Sequence, residues 1–220
     1  APADPGEDAS SWVLLGDEEG PLAWFAISDP VRVDALMTLS RLRALGLHCR
    51  IASGDAATPV AAVASALGGV QAHARLSPED KLALLDVLQA RGERVLAVGD
   101  GINDAPLLAR ADVSVAMAAG TALAHASANL ILLQDRLHIL PELIQMARRT
   151  RRIIRQNLIW ALAYNALAVP LAAAGLITPW LASLGMSLSS VLVVLNAQRL
   201  YRPTTRRQAD HLTDRAVQLS

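Results

Sequence analysis

The stretch that decides the fold runs from residue 98 to residue 108 and reads Val-Gly-Asp-Gly-Ile-Asn-Asp-Ala-Pro-Leu-Leu. It follows an apolar run, residues 94–98, that predicts a short buried strand. A carboxylate at the C-terminal end of such a strand, followed by a tight glycine turn, is well placed to hold a metal ion against a phosphate. Asp100 and Asp104 supply two carboxylates there. The alternative is an ordinary strand-to-helix turn, because Gly-Asp-Gly alone is common in loops.

Apolar runs of strand and helix type alternate along the chain around this stretch. The predicted strands are 12–15, 21–27, 47–52, 70–74, 95–98, 113–117 and 130–133, and the predicted helices are 31–44, 58–67, 78–90, 106–110, 121–126 and 141–155. Ser77 and Pro78 give the clearest helix start, as a cap and a first-turn proline. The alternation predicts an α/β fold, a parallel sheet with helices on both faces, whose ligands bind at the carboxyl ends of the strands.

Three motifs fall at predicted strand ends: Asp29, Ser53-Gly54-Asp55 and Gly99-Asp100-Gly101. Phosphoryl transfer needs positioning and charge neutralisation, and the Ser53 hydroxyl with the Gly54 amide can hold one phosphate oxygen. Lys81, the single lysine among 20 basic residues, can neutralise another as a compact point charge. We expect Asp100 to bind Mg²⁺ directly and Asp104 to orient the ion or its waters.

The distribution of charge predicts a membrane segment. The formal net charge is zero, which gives no general case for nucleic acid binding, and one cysteine excludes an internal disulfide. Residues 156–198 carry no Asp, Glu, Lys or Arg, and arginines flank the stretch on both sides. Two transmembrane helices fit it, at about 158–176 and 179–198, with both ends in the cytoplasm. A buried helical hairpin of a soluble core is the alternative.

Together these motifs resemble those of the haloacid-dehalogenase fold as P-type ATPases use it. The resemblance rests on residues 99–106, Lys81 and the Ser53 motif, where the family usually has Thr in place of Ser53. Asp29-Pro30-Val31-Arg32 is similar to the segment where the family's nucleotide domain returns to the phosphorylation domain. The resemblance implies ATP as substrate and Mg²⁺ as cofactor. The implied catalytic residues are Ser53, Gly54, Asp55, Lys81 and Asn103, and the implied Mg²⁺ ligands are Asp100 and Asp104.

The resemblance also implies a longer protein. The family's phosphorylated aspartate lies in Asp-Lys-Thr-Gly-Thr, a string that these 220 residues lack. We therefore expect a C-terminal part that forms no aspartyl phosphate by itself. The implied domains are 1–28, the end of the nucleotide-binding domain; 29–145, the second part of the phosphorylation domain; 146–200, a linker helix and two transmembrane helices; and 201–220, a cytoplasmic tail.

The polar residues of the membrane segment bear on the cargo. Met186 and Ser190 share a helix face, and a thioether is a soft ligand suited to Cu(I). A divalent ion in hydrocarbon would need a carboxylate, which residues 156–198 do not supply. Helix packing is the other interpretation of these polar residues.

The resemblance extends to the copper class of heavy-metal P-type ATPases, which carry Tyr-Asn and Met-x-x-Ser-Ser in their last two helices. It implies that Tyr164, Asn165, Met186 and Ser190 line the exit-side Cu(I) site. A Cu(I) exporter of the inner or plasma membrane is therefore expected, with the rest of the pump, the lipid bilayer and a copper chaperone as partners and no nucleic acid. A Zn²⁺ or Cd²⁺ pump and a membrane-anchored phosphatase stay open as alternatives.

Overall fold

The computed structural model of the protein describes residues 11–18, 20–27 and 30–201. The chain divides into two compact units, Ala1–Pro141 and Glu142–Ser220. Asp29, which belongs to a predicted motif, and nearly all of the predicted tail domain 201–220 lie outside the described residues.

The first unit alternates strands and helices after an initial hairpin. The strands are β1 (Ser11–Asp17), β2 (Gly20–Ile27), β3 (Arg50–Ala52), β4 (Gln71–His73), β5 (Leu96–Gly99), β6 (Val113–Ala116) and β7 (Leu130–Ile131). The helices are α1 (Ala35–Ala44), α2 (Ala57–Ala66), α3 (Pro78–Ala90), α4 (Ala105–Arg110) and α5 (Ala122–Ser127), with a 3₁₀ turn at Ile102–Asp104.

The strand pairing confirms the predicted α/β class with parallel strands. β1 and β2 form an antiparallel hairpin, whereas β3 pairs with β4 in parallel. β6 lies between β5 and β7, and both of these pairings are parallel. The parallel strands therefore form two separate ladders among the described residues, where the sequence predicted one continuous sheet.

Local chemistry explains why α3 begins where it was predicted to begin. The Ser77 side chain accepts a hydrogen bond from the Asp80 amide at 3.1 Å, and the Asp80 carboxylate accepts one from the Ser77 amide at 3.0 Å. This reciprocal capping box satisfies two amides that a helix end leaves free. The Ser77 backbone and side-chain hydrogen bonds hold the pKa of Asp80 below its usual value. Pro78 follows at the first helical position, as predicted.

Two elements differ from their predicted form. α1 begins at Ala35 and not at residue 31, because Arg32 and Asp34 make contacts elsewhere in the first unit. The strand before the Asp100 turn was predicted to be buried, but the side chains of Leu96 and Val98 are 36% and 38% exposed. Parallel strands are normally covered on both faces. Leu96 and Val98 share one face of β5, and Ala97 on the opposite face is 6% exposed, so one face of the strand lacks cover among the described residues.

One of the three buried clusters described in the first unit lies around α4, α5 and the strands β5 and β6. Leu108 is 1% exposed and packs with Ala97 of β5, with Ala116 of β6 and with Ala124 of α5. Small alanine side chains let α4 and α5 approach the sheet closely. This packing fixes the turn between β5 and α4, which carries Asp100 and Asp104.

The second unit is built from two helices, α6 (Ile139–Ala173) and α7 (Pro179–Gln198). α7 has the bounds predicted for the second span, and it is the one helix in the described part of the chain that is long and apolar enough to cross a membrane. The first predicted span, 158–176, needs correction because α6 ends at Ala173. Gly175 then adopts a left-handed conformation with φ of +73° that closes the helix.

Candidate functional site

The backbone of the β5 turn is held in place by neighbouring strands and loops. The Met117 amide donates to the Gly99 carbonyl at 3.0 Å, and the Thr121 amide donates to the Asp100 carbonyl at 2.9 Å. The Asp100 side chain is exposed, and its carboxylate has no hydrogen-bond or ion-pair partner among the described residues. The turn therefore presents an open carboxylate on a fixed backbone at the carboxyl end of a parallel strand.

Lys81 and Asp104 meet at this turn although they lie on different elements. The Lys81 ammonium donates to Asp104 Oδ1 at 2.7 Å, and the two side chains are 11% and 20% exposed. Lys81 stands in the first turn of α3, and α3 packs against α4, which Asp104 precedes. Partial burial weakens the screening of the pair by water, so it is stronger than a surface ion pair. The lysine is thereby held beside the Asp100 turn.

Gly99 makes room for this arrangement. A Cβ at Gly99 would lie 2.8 Å from the Asp104 Cβ and 3.0 Å from Asp104 Oδ2, closer than side chains pack. Gly101 is different, because a Cβ there would meet Asp104 Oδ2 at an ordinary 3.7 Å. The first glycine of the motif is thus required by contact with Asp104, whereas the second is not.

The Ser53 motif forms a second, self-contained turn at the end of β3. The Ser53 hydroxyl donates to Asp55 Oδ2 at 2.8 Å, and the Asp55 amide donates to the Ser53 oxygen at 3.2 Å. The Ser53 amide donates to the His73 carbonyl of β4. In the part of the chain that the structure describes, no hydrogen bond joins this turn to Lys81 or Asp104. The structure therefore joins Lys81 and Asp104 by a hydrogen bond, whereas the Ser53 amide is joined to β4.

The donor atoms at the β5 turn fit magnesium. Asp100, Asp104 and Asn103 offer oxygen donors, which a hard cation such as Mg²⁺ prefers. Among the described residues no group of three or more His, Cys, Asp or Glu side chains is placed to hold a metal. Mg²⁺ commonly binds through one or two carboxylates, with water and phosphate completing its shell. The open carboxylate of Asp100 suits that mode, because it leaves positions for a phosphate oxygen.

Sequence reasoning missed a charged cluster formed between the start of α1 and the segment before α6. Arg32 forms an ion pair with Asp135, and this hydrogen bond is the main reason why the pKa of Arg32 is raised. The Asp34 carboxylate accepts hydrogen bonds from the His138 amide at 2.9 Å and from its ring Nδ1 at 3.3 Å. Arg32 belongs to the Asp29-Pro30-Val31-Arg32 segment that the sequence analysis singled out. No sequence pattern indicated a role for Asp135 or His138.

The four predicted cargo residues fall into two groups in the second unit. Met186 is 68% exposed, and the Ser190 hydroxyl donates to its carbonyl at 3.1 Å on the same helix. Asn165 is also exposed. Tyr164 instead packs on α7, where its hydroxyl donates to the Ala182 carbonyl at 3.4 Å. Three of the four side chains are thus open to further partners, and Tyr164 is engaged in helix packing.

Comparison with known proteins identifies relatives that match most of the chain. A family model for haloacid dehalogenase-like hydrolases matches residues 8–112. The nitrogen fixation protein FixI of Rhizobium leguminosarum bv. viciae is 46% identical over 190 residues, which are 86% of this chain and 25% of that protein. A copper-exporting P-type ATPase of Bacillus subtilis strain 168 is 41% identical over 191 residues, 86% of this chain and 24% of that protein. The chain thus spans about a quarter of the length of these relatives.

A solved structure extends the likeness to three dimensions. The crystal structure of a zinc-transporting PIB-type ATPase in its E2.Pi state matches with a TM-score of 0.77 and 36% sequence identity. The match covers 88% of this chain and 32% of that protein, so it includes residues from both units. The chain therefore has a haloacid dehalogenase-like α/β fold and is similar over most of its length to part of a heavy-metal P-type ATPase.

Proposed function

We propose that this chain is the C-terminal part of an ATP-driven heavy-metal transporter that passes through an aspartyl-phosphate intermediate. The observation that carries the proposal is the Lys81–Asp104 pair beside the open carboxylate of Asp100. A lysine and a magnesium-binding carboxylate at one strand end supply the charge neutralisation that phosphoryl transfer requires. The phosphorylated aspartate itself lies upstream of these residues in the proposal.

Each residue of the β5 turn has a distinct task in this proposal. Asp100 holds Mg²⁺, which supplies a positive charge for the transferred phosphoryl group. Asp104 fixes the Lys81 ammonium through their 2.7 Å hydrogen bond, so that the amine faces the phosphate without searching rotamers. Asn103 offers its side-chain amide as a further polar group in the same turn. The Gly54 amide can donate to a phosphate oxygen from the neighbouring ladder, and the Ser53 hydroxyl can do so once it exchanges its 2.8 Å hydrogen bond to Asp55 for the phosphate.

The two ladders suggest where the upstream aspartate enters. β3 and β5 each pair with one strand among the described residues, so each has an unpaired edge. Unpaired edges and half-exposed parallel strands call for a further strand. We propose that an upstream strand, ending in the Asp-Lys-Thr-Gly-Thr aspartate of the family, pairs with these edges. It would bring the Ser53 and Asp100 turns to one phosphate.

Replacement of Asp100 in the full-length protein tests the phosphoryl-transfer step. We expect Asp100→Asn to lower the yield of acid-stable phosphoenzyme from labelled ATP by at least 100-fold, because the Mg²⁺ ligand loses its charge. Asp86→Asn is the matched control, since Asp86 forms an exposed ion pair with Arg110, the last residue of α4. Normal phosphoenzyme in the Asp100 variant would refute the assignment.

Cu(I) is the proposed cargo, on the strength of the soft thioether of Met186 and the lack of carboxylates in residues 156–198. The name of the Bacillus subtilis relative supports copper, and the zinc-transporting structure keeps a divalent ion as the second candidate. Stimulation of ATP hydrolysis by Cu(I), Ag(I) and Zn²⁺ separates the two. Met186→Leu should weaken Cu(I) binding by about tenfold, whereas Met146→Leu should leave it unchanged. Equal affinities in both variants would exclude Met186.

The proposed location is the cytoplasmic or inner membrane, with α7 and the apolar half of α6 crossing it. The arginines on both sides of residues 156–198 support a topology with both ends in the cytoplasm. The partners are the upstream parts of the same pump, the bilayer and a copper chaperone. A membrane-anchored phosphatase is the remaining alternative, and the sequence preceding Ala1 decides it. Asp-Lys-Thr-Gly-Thr there means a pump.

A further inference from the structure

The second unit contains a cleft lined largely by arginine, which no step of the proposed transport uses. It has a volume of about 180 Å³, and its lining residues are Arg149, Arg152, Ile153, Gln156 and Arg199. The four residues from α6 share one helix face, because they occupy positions i, i+3, i+4 and i+7. Ile153 is 6% exposed and forms the apolar floor. The cleft therefore offers several guanidinium groups around one small volume.

The sequence that forms this cleft is strongly basic. Residues 143–201 contain six arginines, 148, 149, 151, 152, 155 and 199, and no Asp or Glu. The Arg149 side chain donates to the Arg199 carbonyl, and the Arg199 guanidinium donates to Asn196 Oδ1 at 3.2 Å. These contacts hold Arg199 at the end of α7. Planar guanidinium groups bind phosphate through paired hydrogen bonds, so the cleft fits a phosphate group.

An apolar groove adjoins the arginine cleft and shares Arg199 with it. The groove has a volume of about 470 Å³ and is lined by Leu192, Leu195, Asn196, Gln198 and Arg199. Leu192 and Leu195 are 46% and 53% exposed. A free phosphate would use the cleft alone. A ligand with a phosphate head and a hydrocarbon tail would fill both.

We propose that this composite site binds an anionic phospholipid of the cytoplasmic leaflet. Its phosphate lies between Arg152 and Arg199, and one acyl chain lies along Leu192 and Leu195. This inference rests on the proposed function, because it requires α7 to cross the membrane. Anionic lipids concentrate at the cytoplasmic surface, where juxtamembrane arginines are expected. The lipid would hold the middle of α6 and the end of α7 together, since both helices contribute guanidinium groups to it.

The test uses the full-length protein in nanodiscs of phosphatidylcholine with phosphatidylglycerol, and native mass spectrometry counts the lipids retained. We expect Arg152→Gln and Arg199→Gln each to weaken retention of phosphatidylglycerol about fivefold. Arg155→Gln is the matched control, because it removes the same charge from the same helix outside the cleft. Leu195→Ser should also weaken retention, since it makes the groove polar without changing the charge.

The pattern of losses distinguishes a lipid site from diffuse attraction and from a soluble anion site. Equal losses from all three arginine variants would mean diffuse attraction and would overturn the site. Displacement of the lipid by millimolar inorganic phosphate, with no effect of Leu195→Ser, would mean a soluble anion site and would also overturn it. A protein that does not enter nanodiscs would refute the membrane hairpin itself. Insertion without selective retention would refute the lipid site alone.

Discussion

Gly99→Ala is the sharpest test of the β5 turn, because one methyl group meets one functional side chain. The new Cβ would lie 2.8 Å from the Asp104 Cβ, whereas ordinary contact begins at 3.4 Å. Asp104 would have to retreat by about 0.6 Å. A rotamer change cannot relieve this contact, since the Asp104 Cβ is bonded directly to the backbone. The 3₁₀ turn Ile102–Asp104 must therefore shift as a whole.

The Gly99→Ala substitution should affect both the stability of the fold and the rate of phosphoryl transfer. Overpacking a well-filled site costs about 1–3 kcal/mol. The shift also disturbs the Lys81–Asp104 hydrogen bond, which is now 2.7 Å. If the same energy is lost from the transition state of phosphoryl transfer, the rate of phosphoenzyme formation falls about 5- to 150-fold. Folding should survive, because the loss is a fraction of typical domain stability.

The assay is rapid-quench measurement of phosphoenzyme formation from labelled ATP by the full-length protein. Gly101→Ala is the matched control, because its φ of −93° suits any residue and its nearest neighbour lies at 3.7 Å. We expect the control to stay within about twofold of the wild-type rate, as ordinary surface substitutions do. A normal rate for Gly99→Ala, or equal losses in the two variants, would refute the geometric argument.

Two further predictions concern the rest of the chain. Gly185→Ala should lower the free energy of unfolding by about 1–3 kcal/mol, because its Cβ would lie 2.7 Å from the Tyr164 hydroxyl. Adding Tyr164→Phe should restore most of the lost stability, because it removes that hydroxyl. Losses that simply add in thermal unfolding of the double variant would contradict the contact. The hydrogen bond from the Val95 amide, followed by the one from Gln89, lowers the pKa of Asp112. The ionised Asp112 carboxylate therefore stabilises the fold fully above about pH 4, the ordinary pKa of an aspartate. This stabilisation is lost as the pH falls through the lower pKa of Asp112 in the folded protein. Melting temperatures of wild type and Asp112→Asn should therefore differ at pH 7 and converge in acid, and a constant difference would contradict the linkage.

Features that depend on local chemistry could be predicted from the sequence. The capping box at Ser77 and Asp80 uses residues three positions apart, so the start of α3 was visible in a few letters. The bounds of α7 were equally plain, since proline suits a first helical position at residue 179 and the uncharged stretch 156–198 ends before Arg199. The Asp100 turn was located for the same reason, because a strand, a glycine and a carboxylate follow one another.

Features that depend on distant residues could not be predicted. Arg32 and Asp135 are 103 positions apart, and their pairing follows from the packing of the first unit. The same contacts delay the start of α1, whose apolar periodicity alone predicted an earlier first turn. The half-exposed β5 is a related case, since an apolar run indicates a strand but not the number of its neighbours.

The two carboxylates of the motif are the clearest example of what the structure adds. From the sequence we expect Asp100 to bind Mg²⁺ directly and Asp104 to orient the ion or its waters, whereas the resemblance implies both as ligands. In the fold, Asp104 is committed to Lys81, whereas Asp100 is exposed and unpaired among the described residues. A carboxylate already bonded to an ammonium is a poor metal ligand, because the two cations would compete for it. We therefore propose that Asp100 binds Mg²⁺ directly and that Asp104 acts by holding Lys81. Asp104→Asn should accordingly weaken phosphoryl transfer while leaving the affinity for Mg²⁺ largely intact, whereas Asp100→Asn should lower both.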